Sequence, residues 1–262
     1  MKIGVMTNPT KDILKEIEFI GKNDFDFVEI GMEWPEGKAE NLLKKKNEIL
    51  RLLKKYNLFT IAHTAWWMNF SSPYELVRKA WVEEAKKEIN AAKELGIKLI
   101  NFHTHSREIS SFYKDYKFLI LENFVRSIKE LINYAEKYDI KIMIENTMQK
   151  GEIVEFEDFK YIVNKIPKVK VNFDVGHAFI HGGMKTIKKY IKTFGNKIEH
   201  VHIHDNYGKG DDHLPLGVGI LDWKKIIKEL KKIGYDKTIT LEIYVPDKDY
   251  LIFSKNKLRE VI

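Results

Sequence analysis

The sequence predicts an α/β fold, a closed (β/α)8 or TIM barrel. Three observations point there: eight short apolar runs, helical stretches between them, and a length suited to one barrel. The chain has 262 residues, 44% of them hydrophobic, and no Gly/Ser/Pro-rich stretch divides it. Barrels of this kind occur as one domain at this size, so a single TIM-barrel domain over 1–262 is expected. The apolar runs, in order, are KIGVM at about 2–6, FDFVEI at 25–30, LFTIAH at 58–63 and KLINFH at 98–103. They continue with IKIMIE at 140–145, VKVNFD at 169–174, IEHVHIH at 198–204 and TITLEI at 238–243. All are short and rich in β-branched residues, as strands are. Longer segments of helical period lie between them, for example 73–95 and 117–138. The first opens on Ser72-Pro73 ahead of Glu75 and stops at Gly96, which are helix start and stop signals. An open doubly wound sheet would want a Gly-rich phosphate loop after an early strand. None is present, and eight βα units favour closure.

Composition narrows the chemistry. There is no cysteine, which excludes disulfides, thiolate zinc sites and thiol nucleophiles. Any transition metal must be held by His, Asp and Glu. The net charge is +7, yet only five of the 45 basic residues are arginines. Lysine runs such as Lys44-Lys45-Lys46 and Lys224-Lys225 fall in amphipathic helical patterns and read as solvated faces, not as a nucleic-acid footprint. Abundant Lys and Glu without Cys matches a thermophile's composition, and equally that of a lysine-favouring genome. The opening MKIGVMTNP runs straight into a strand and has no signal-peptide core. No apolar run approaches the ~18 residues of a membrane span. A soluble, cytoplasmic protein with no membrane partner is expected.

The strand ends carry the functional signal. His63 closes the third run, His103 the fourth, Glu145 the fifth, Asp174 the sixth, His202 or His204 the seventh and Glu242 the eighth. A (β/α)8 barrel brings all these ends to one rim, where active sites form. One such residue means little; six consecutive strands ending this way suggest a metal. Mixed imidazole and carboxylate donors suit zinc, manganese or iron better than magnesium or calcium. Alternation places Val201 and Ile203 toward the helices and His200, His202 and His204 in the interior. By the same logic Glu145 and Asp174 point inward, where an unpaired charge is costly and a cation removes the cost. FDVGHAF puts His177 in the loop above the sixth strand, and GDDHLPLGVG puts Asp211 and His213 in the loop after the seventh.

These residues resemble the xylose isomerase-like barrels that include endonuclease IV, over the span from about His63 to Pro246. LGIKLINFH, IENT, FDVGHAF, VHIHDN, DDHLPLGVG and LEIYVPD all look like that family's signature stretches. The resemblance implies up to three Zn2+ ions. His63, His103 and Glu145 would hold the first. Glu145 (bridging), Asp174, His202 and Glu242 would hold the second. His177, Asp211 and His213 would hold the third. The family reads H-x-x-D in the seventh strand, which selects His202 over His204. One-metal isomerases and epimerases of the same superfamily, with Mn2+ or Zn2+, would need only Glu145, Asp174, His202 and Glu242. The sequence also departs from the endonuclease pattern. FVEIGMEWP lacks the basic, Gln-containing DNA-gripping loop, and TAWWMNFSSP carries Trp66 and Trp67 where that family has an exposed tyrosine.

Two enzymatic readings follow, both on a sugar-phosphate-type substrate. The first is endonuclease IV-like phosphoester hydrolysis by a metal cluster, on abasic DNA or a smaller sugar phosphate, suggested by the five extra ligand positions. The alternative is one-metal sugar or sugar-phosphate isomerisation or epimerisation, with Glu145 and Glu242 as ligands and proton-transfer groups. A barrel that only binds a metal or sugar is the non-enzymatic reading, and open ligand sets argue against it. Trp66 and Trp67 would stack on substrate or cap the rim, as would Trp34, and Arg107 is the candidate phosphate contact.

Overall fold

The computed structural model describes residues 1–104, 115–147 and 155–262. The elements run β1 (Lys2–Met6), α1 (Ile13–Lys22), β2 (Phe27–Met32), α2 (Ala39–Lys44), α3 (Lys46–Tyr56), β3 (Phe59–Thr64), α4 (Glu75–Glu94), β4 (Leu99–His103) and α5 (Lys117–Ala135). They continue β5 (Lys141–Glu145), α6 (Phe156–Lys165), β6 (Lys170–Asp174), α7 (Val175–Ile180), α8 (Gly183–Phe194), β7 (Ile198–Ile203), α9 (Trp223–Lys232), β8 (Thr238–Leu241) and α10 (Asp249–Arg259). The eight strands are parallel and paired in chain order, and β8 closes on β1 through Lys2↔Thr238 to Val5↔Leu241. The expected TIM barrel is therefore the fold.

Period-two alternation explains how the chain fills both sides of the sheet. Val5, Ile30, Phe102, Ile144, Phe173, Val201 and Leu241 face outward and join the helices in one large core. The opposite set points into the barrel. At its floor Phe27, Ile61 and Met143 form a separate small apolar cluster with Leu99. Gly4 makes room for it: a Cβ there would fall 2.4 Å from the Phe27 ring. Above the floor the inward positions turn polar, and two residues further on they reach the rim.

The helices begin and end for local reasons. Asp12 caps α1 by accepting from the main-chain N–H of Leu14 and Lys15. Gly96, at φ +73°, lies just beyond α4, as a helix stop should. The start of α4 differs from expectation, because Tyr74, not Ser72, is the N-cap and has no side-chain cap. Ser72 Oγ instead accepts from Tyr74 N at 3.3 Å, a turn one step upstream. Strand β2 also starts later than the apolar run, since Phe25 still bonds back to Ile20 of α1. Among the described residues no helix is long and apolar enough to cross a membrane.

Candidate metal centre

The rim rests on a layer of polar residues that the barrel buries completely: Glu29, Asn101, Asn172, His200 and Thr240. Glu29, in the middle of β2, meets His200 Nε2 at 3.2 Å and His202 Nε2 at 3.1 Å. Burial alone would raise its pKa, but the two imidazoles prevail and hold it well below the usual carboxylate range. Glu29 thereby fixes the His202 ring, whose Nδ1 turns to the rim. Asn101 and Asn172 donate to Glu145 Oε2 at 2.5 and 2.7 Å. Glu145 Oε1 is left with no hydrogen-bond partner. Burial works against ionisation of Glu145, and His103 and His202 override it.

Among the described residues three main groups of donor atoms stand on this layer, each with its atoms within 4.8 Å of one another: His63–His103–Glu145, Glu145–Asp174–His202–Glu242, and His177–His204–Asp211–His213, with His63–His202–Glu242 overlapping the first two. Glu145 belongs to the first two. Register explains part of this, since His103 pairs with Glu145 across β4 and β5 and Asp174 with His202 across β6 and β7. In the first group His63 Nε2 lies 3.6 Å from Glu145 Oε2, and His103 Nε2 lies 3.4 Å from Glu145 Oε1. In the second, His202 Nδ1 lies 3.0 Å from Glu242 Oε2, 3.5 Å from Glu145 Oε2 and 4.0 Å from Asp174 Oδ2. Asp174 Oδ1 caps α7 by accepting from His177 N at 2.6 Å, leaving Oδ2 unpartnered. Asn146 stitches β5 to β6 by bonding the main chain of Asp174 in both directions.

The third group depends on two loops. Asp205 gathers the segment after β7 by accepting from the N–H groups of Asn206, Gly217 and Leu221 at 2.8–2.9 Å, and its main chain bridges to Leu214. Gly219 is required there, because a Cβ would lie 2.4 Å from Asp205 Oδ1. The turn so formed delivers Asp211 and His213, the latter at a left-handed φ of 44°. His177 is not in a loop, as its spacing suggested; it sits on the short helix α7 that Asp174 caps.

The donor chemistry fits divalent metal ions. A metal with ligands at about 2.1 Å in tetrahedral array separates them by roughly 3.4 Å, and several of these imidazole–carboxylate distances fall near that value. They are too long or too poorly aligned for full hydrogen bonding. Among the described residues ten buried side-chain atoms have no hydrogen-bond partner, and seven belong to these groups: both ring nitrogens of His63, His103 Nδ1, Glu145 Oε1, Asp174 Oδ2, His204 Nε2 and Asp211 Oδ1. Buried polar atoms are rarely left unpaired. The electrostatics agree. Burial opposes a charge on His63, yet Glu145 and Glu33 lift its pKa to about 10. Against the same opposition Glu242 and Asp211 lift His213 to about 9. These positions are built to receive positive charge.

The structure brings together all nine ligand positions implied by the resemblance, with Glu242 one residue beyond β8. Trp66 and Trp67 are exposed and meet edge to face at 5.8 Å. Trp67 and Trp34 line a groove with Met32, Met68, Trp81 and Glu88. Arg107 lies outside the described residues. Sequence reasoning did not single out Glu29, Asn101 or Asn172, and it set His204 aside in favour of His202, whereas the structure places both among the candidate donors. A polar residue two places before a ligand residue, as in LINFH and VKVNFD, was the available signal for Asn101 and Asn172.

The chain is 30% identical over 251 residues to the uncharacterized protein MJ1311 of Methanocaldococcus jannaschii, covering 92% of this chain and 83% of that protein. It is 28% identical over 211 residues to a probable endonuclease 4 of Thermotoga petrophila, covering 71% of each. The crystal structure of a D-tagatose 3-epimerase-like protein superposes with a TM-score of 0.88 at 29% identity, covering 100% of this chain and 97% of that one. The zinc-bound IolI protein shares the fold, with a TM-score of 0.83 at 21% identity over 100% of this chain and 98% of its own. Endonucleases and sugar epimerases thus stand together among its relatives. With the model of the xylose isomerase-like TIM barrel matching residues 17–260, the chain belongs to that family.

Proposed function

We propose that this protein is a divalent-metal-dependent phosphoester hydrolase acting on a sugar phosphate, with zinc as the best-suited metal. One observation carries the reading: donor groups beyond Glu145–Asp174–His202–Glu242 converge on the same rim, and Glu145 is shared between two of them. A one-metal isomerase has no use for His63 and His103. Bound metals would neutralise phosphoryl oxygens, activate water and stabilise the leaving alkoxide. Glu145 bridges the first two groups, and Asn101 and Asn172 keep its carboxylate in register. Glu29 and Glu242 hold the two nitrogens of His202, and Tyr244 Oη donates to Glu242 Oε1 at 2.9 Å. Trp66 and Trp67 offer faces for a sugar ring.

A small sugar phosphoester suits the rim better than duplex DNA. DNA binding rests on many Lys and Arg contacts to phosphates. Among the described residues the rim loops offer Lys11, Lys38, Lys209 and Lys248, and Lys248 is paired with Glu16 at 2.6 Å. The second reading, isomerisation or epimerisation by one metal, is favoured by His202 Nδ1 standing beside both Glu145 and Glu242, which makes that group complete by itself. Metal counting on zinc-loaded protein, with phosphate release from sugar phosphates, nicking of an abasic duplex and ketose interconversion assayed in parallel, separates the readings. Two or more metals per chain with phosphoester cleavage is the expected result. A single metal with ketose interconversion, undiminished by His103→Ala, overturns hydrolysis in favour of the isomerase.

A further inference from the structure

The His177–Asp211–His213 group has a fourth member that the family pattern leaves unused. His204 follows β7 directly and is fully buried. Its Nε2 lies 3.4 Å from Asp211 Oδ1, and neither atom has a hydrogen-bond partner. His177 Nε2 stands 3.4 Å and His213 Nε2 2.8 Å from the other oxygen, Oδ2. In all three rings Nδ1 faces a main-chain oxygen and Nε2 faces Asp211. His177 Nδ1 faces the main-chain oxygen of Asn146 at 2.8 Å, His213 Nδ1 that of Glu242 at 2.8 Å, and His204 Nδ1 that of Asp205 at 3.4 Å. A backbone carbonyl on one ring nitrogen sets the tautomer that leaves the other nitrogen free to bind a metal. The His204 and His213 rings stack at 4.1 Å, so the two nitrogens reach the same space.

A second feature makes room for His204. Gly176, on α7 next to His177, lies so close that a Cβ would fall 2.2 Å from both Cε1 and Nε2 of the His204 ring. The chain therefore gives up a side chain on the helix that carries one donor so that the imidazole of another can enter.

We propose that His204 is the fourth protein ligand of this site, closing it as a three-His, one-Asp site whose metal is structural and withheld from substrate. Four-coordinate sites with no open position are the structural class of zinc site, whereas catalytic sites keep a position for water or substrate. The inference rests on the proposed metal-binding function and divides its labour. Chemistry falls to the groups that share Glu145. The closed site pins the loop after β7 to α7, whose N-cap Asp174 belongs to the Glu145 group.

The test is graded metal removal. Zinc-loaded wild-type protein, His204→Asn and Gly176→Ala are dialysed against a chelator of moderate strength. Metals per chain are then counted by mass spectrometry, and folding is checked by circular dichroism. Cobalt-loaded samples report coordination by their visible absorption. Wild type is expected to retain one slowly released metal after the others have left, with the intense absorption of four-coordinate cobalt. His204→Asn should bind that last metal more than about 100-fold more weakly, beyond the loss expected from a merely supporting residue. Gly176→Ala, which alters no donor atom but displaces the ring, should show the same loss and keeps the test valid if His204→Asn does not fold. Retention of the slow metal with an unchanged cobalt spectrum in the variants overturns the role of His204 and leaves the proposed function standing. A wild-type protein that holds no metal overturns both.

Discussion

The floor and the mouth of this barrel are built by the same strands and obey opposite rules. Ile61 and His63 are two residues apart on β3, and Met143 and Glu145 two apart on β5. At the floor, Phe27, Ile61 and Met143 seal the interior by burying apolar surface. At the mouth, buried atoms lack partners, an arrangement that costs stability until something binds. Between them Glu29, Asn101, Asn172 and His200 change the interior from apolar to ionic within one repeat of each strand. Stability and chemistry are thus stacked along one axis and can be perturbed separately.

The sharpest way to break that separation is at Glu145. Glu145→Gln should lower activity by more than about 100-fold and remove metal from both groups that share the residue. Thermal unfolding of the metal-free protein should also shift down, since His63, His103 and His202 lose the carboxylate that offsets their charge, while circular dichroism still shows the barrel. Phe27→Ala should cost about 3–5 kcal/mol in denaturant unfolding while the folded fraction keeps its metal content. The layer between should show a mixed effect: Glu29→Gln, which weakens the hold on His202, is expected to reduce metal affinity about 10–100-fold by titration.

The smallest effect tests a charge outside the barrel axis. Glu88, on α4, is buried, and burial above all, with Glu84 and Glu33 adding to it, raises its pKa well above the ordinary value. A carboxyl with a raised folded-state pKa contributes its stability below the unfolded value near 4.3, and that contribution fades as pH rises toward the folded value. Glu88→Gln should therefore match wild type near pH 4 and exceed it at pH 8, by about 2–4 °C in Tm for each kcal/mol recovered. Equal melting temperatures at pH 8 would show Glu88 to be solvated or paired.

Much of this was legible before any coordinates. The βα alternation needs only local periodicity, and parallel closure follows from the count of strands. The rim ligands were legible because strand ends converge in this architecture, so position along the chain stands for position in space. His177 was misplaced because a D-x-x-H spacing serves a loop and a capped helix equally well. Glu29 passed as an ordinary strand residue, since nothing local reveals that its partners are His200 and His202, more than 170 positions away.

From the sequence came the barrel and its rim, because hydrophobic alternation decides which strand side chains enter the interior, and the family resemblance added the loop ligands and the sharing of Glu145. Tertiary structure alone decided that Glu29 orients His202 and that His204 turns toward Asp211 across the space Gly176 leaves open. Those pairings depend on separations of a few ångströms between strands and loops remote in sequence, which local propensity does not encode.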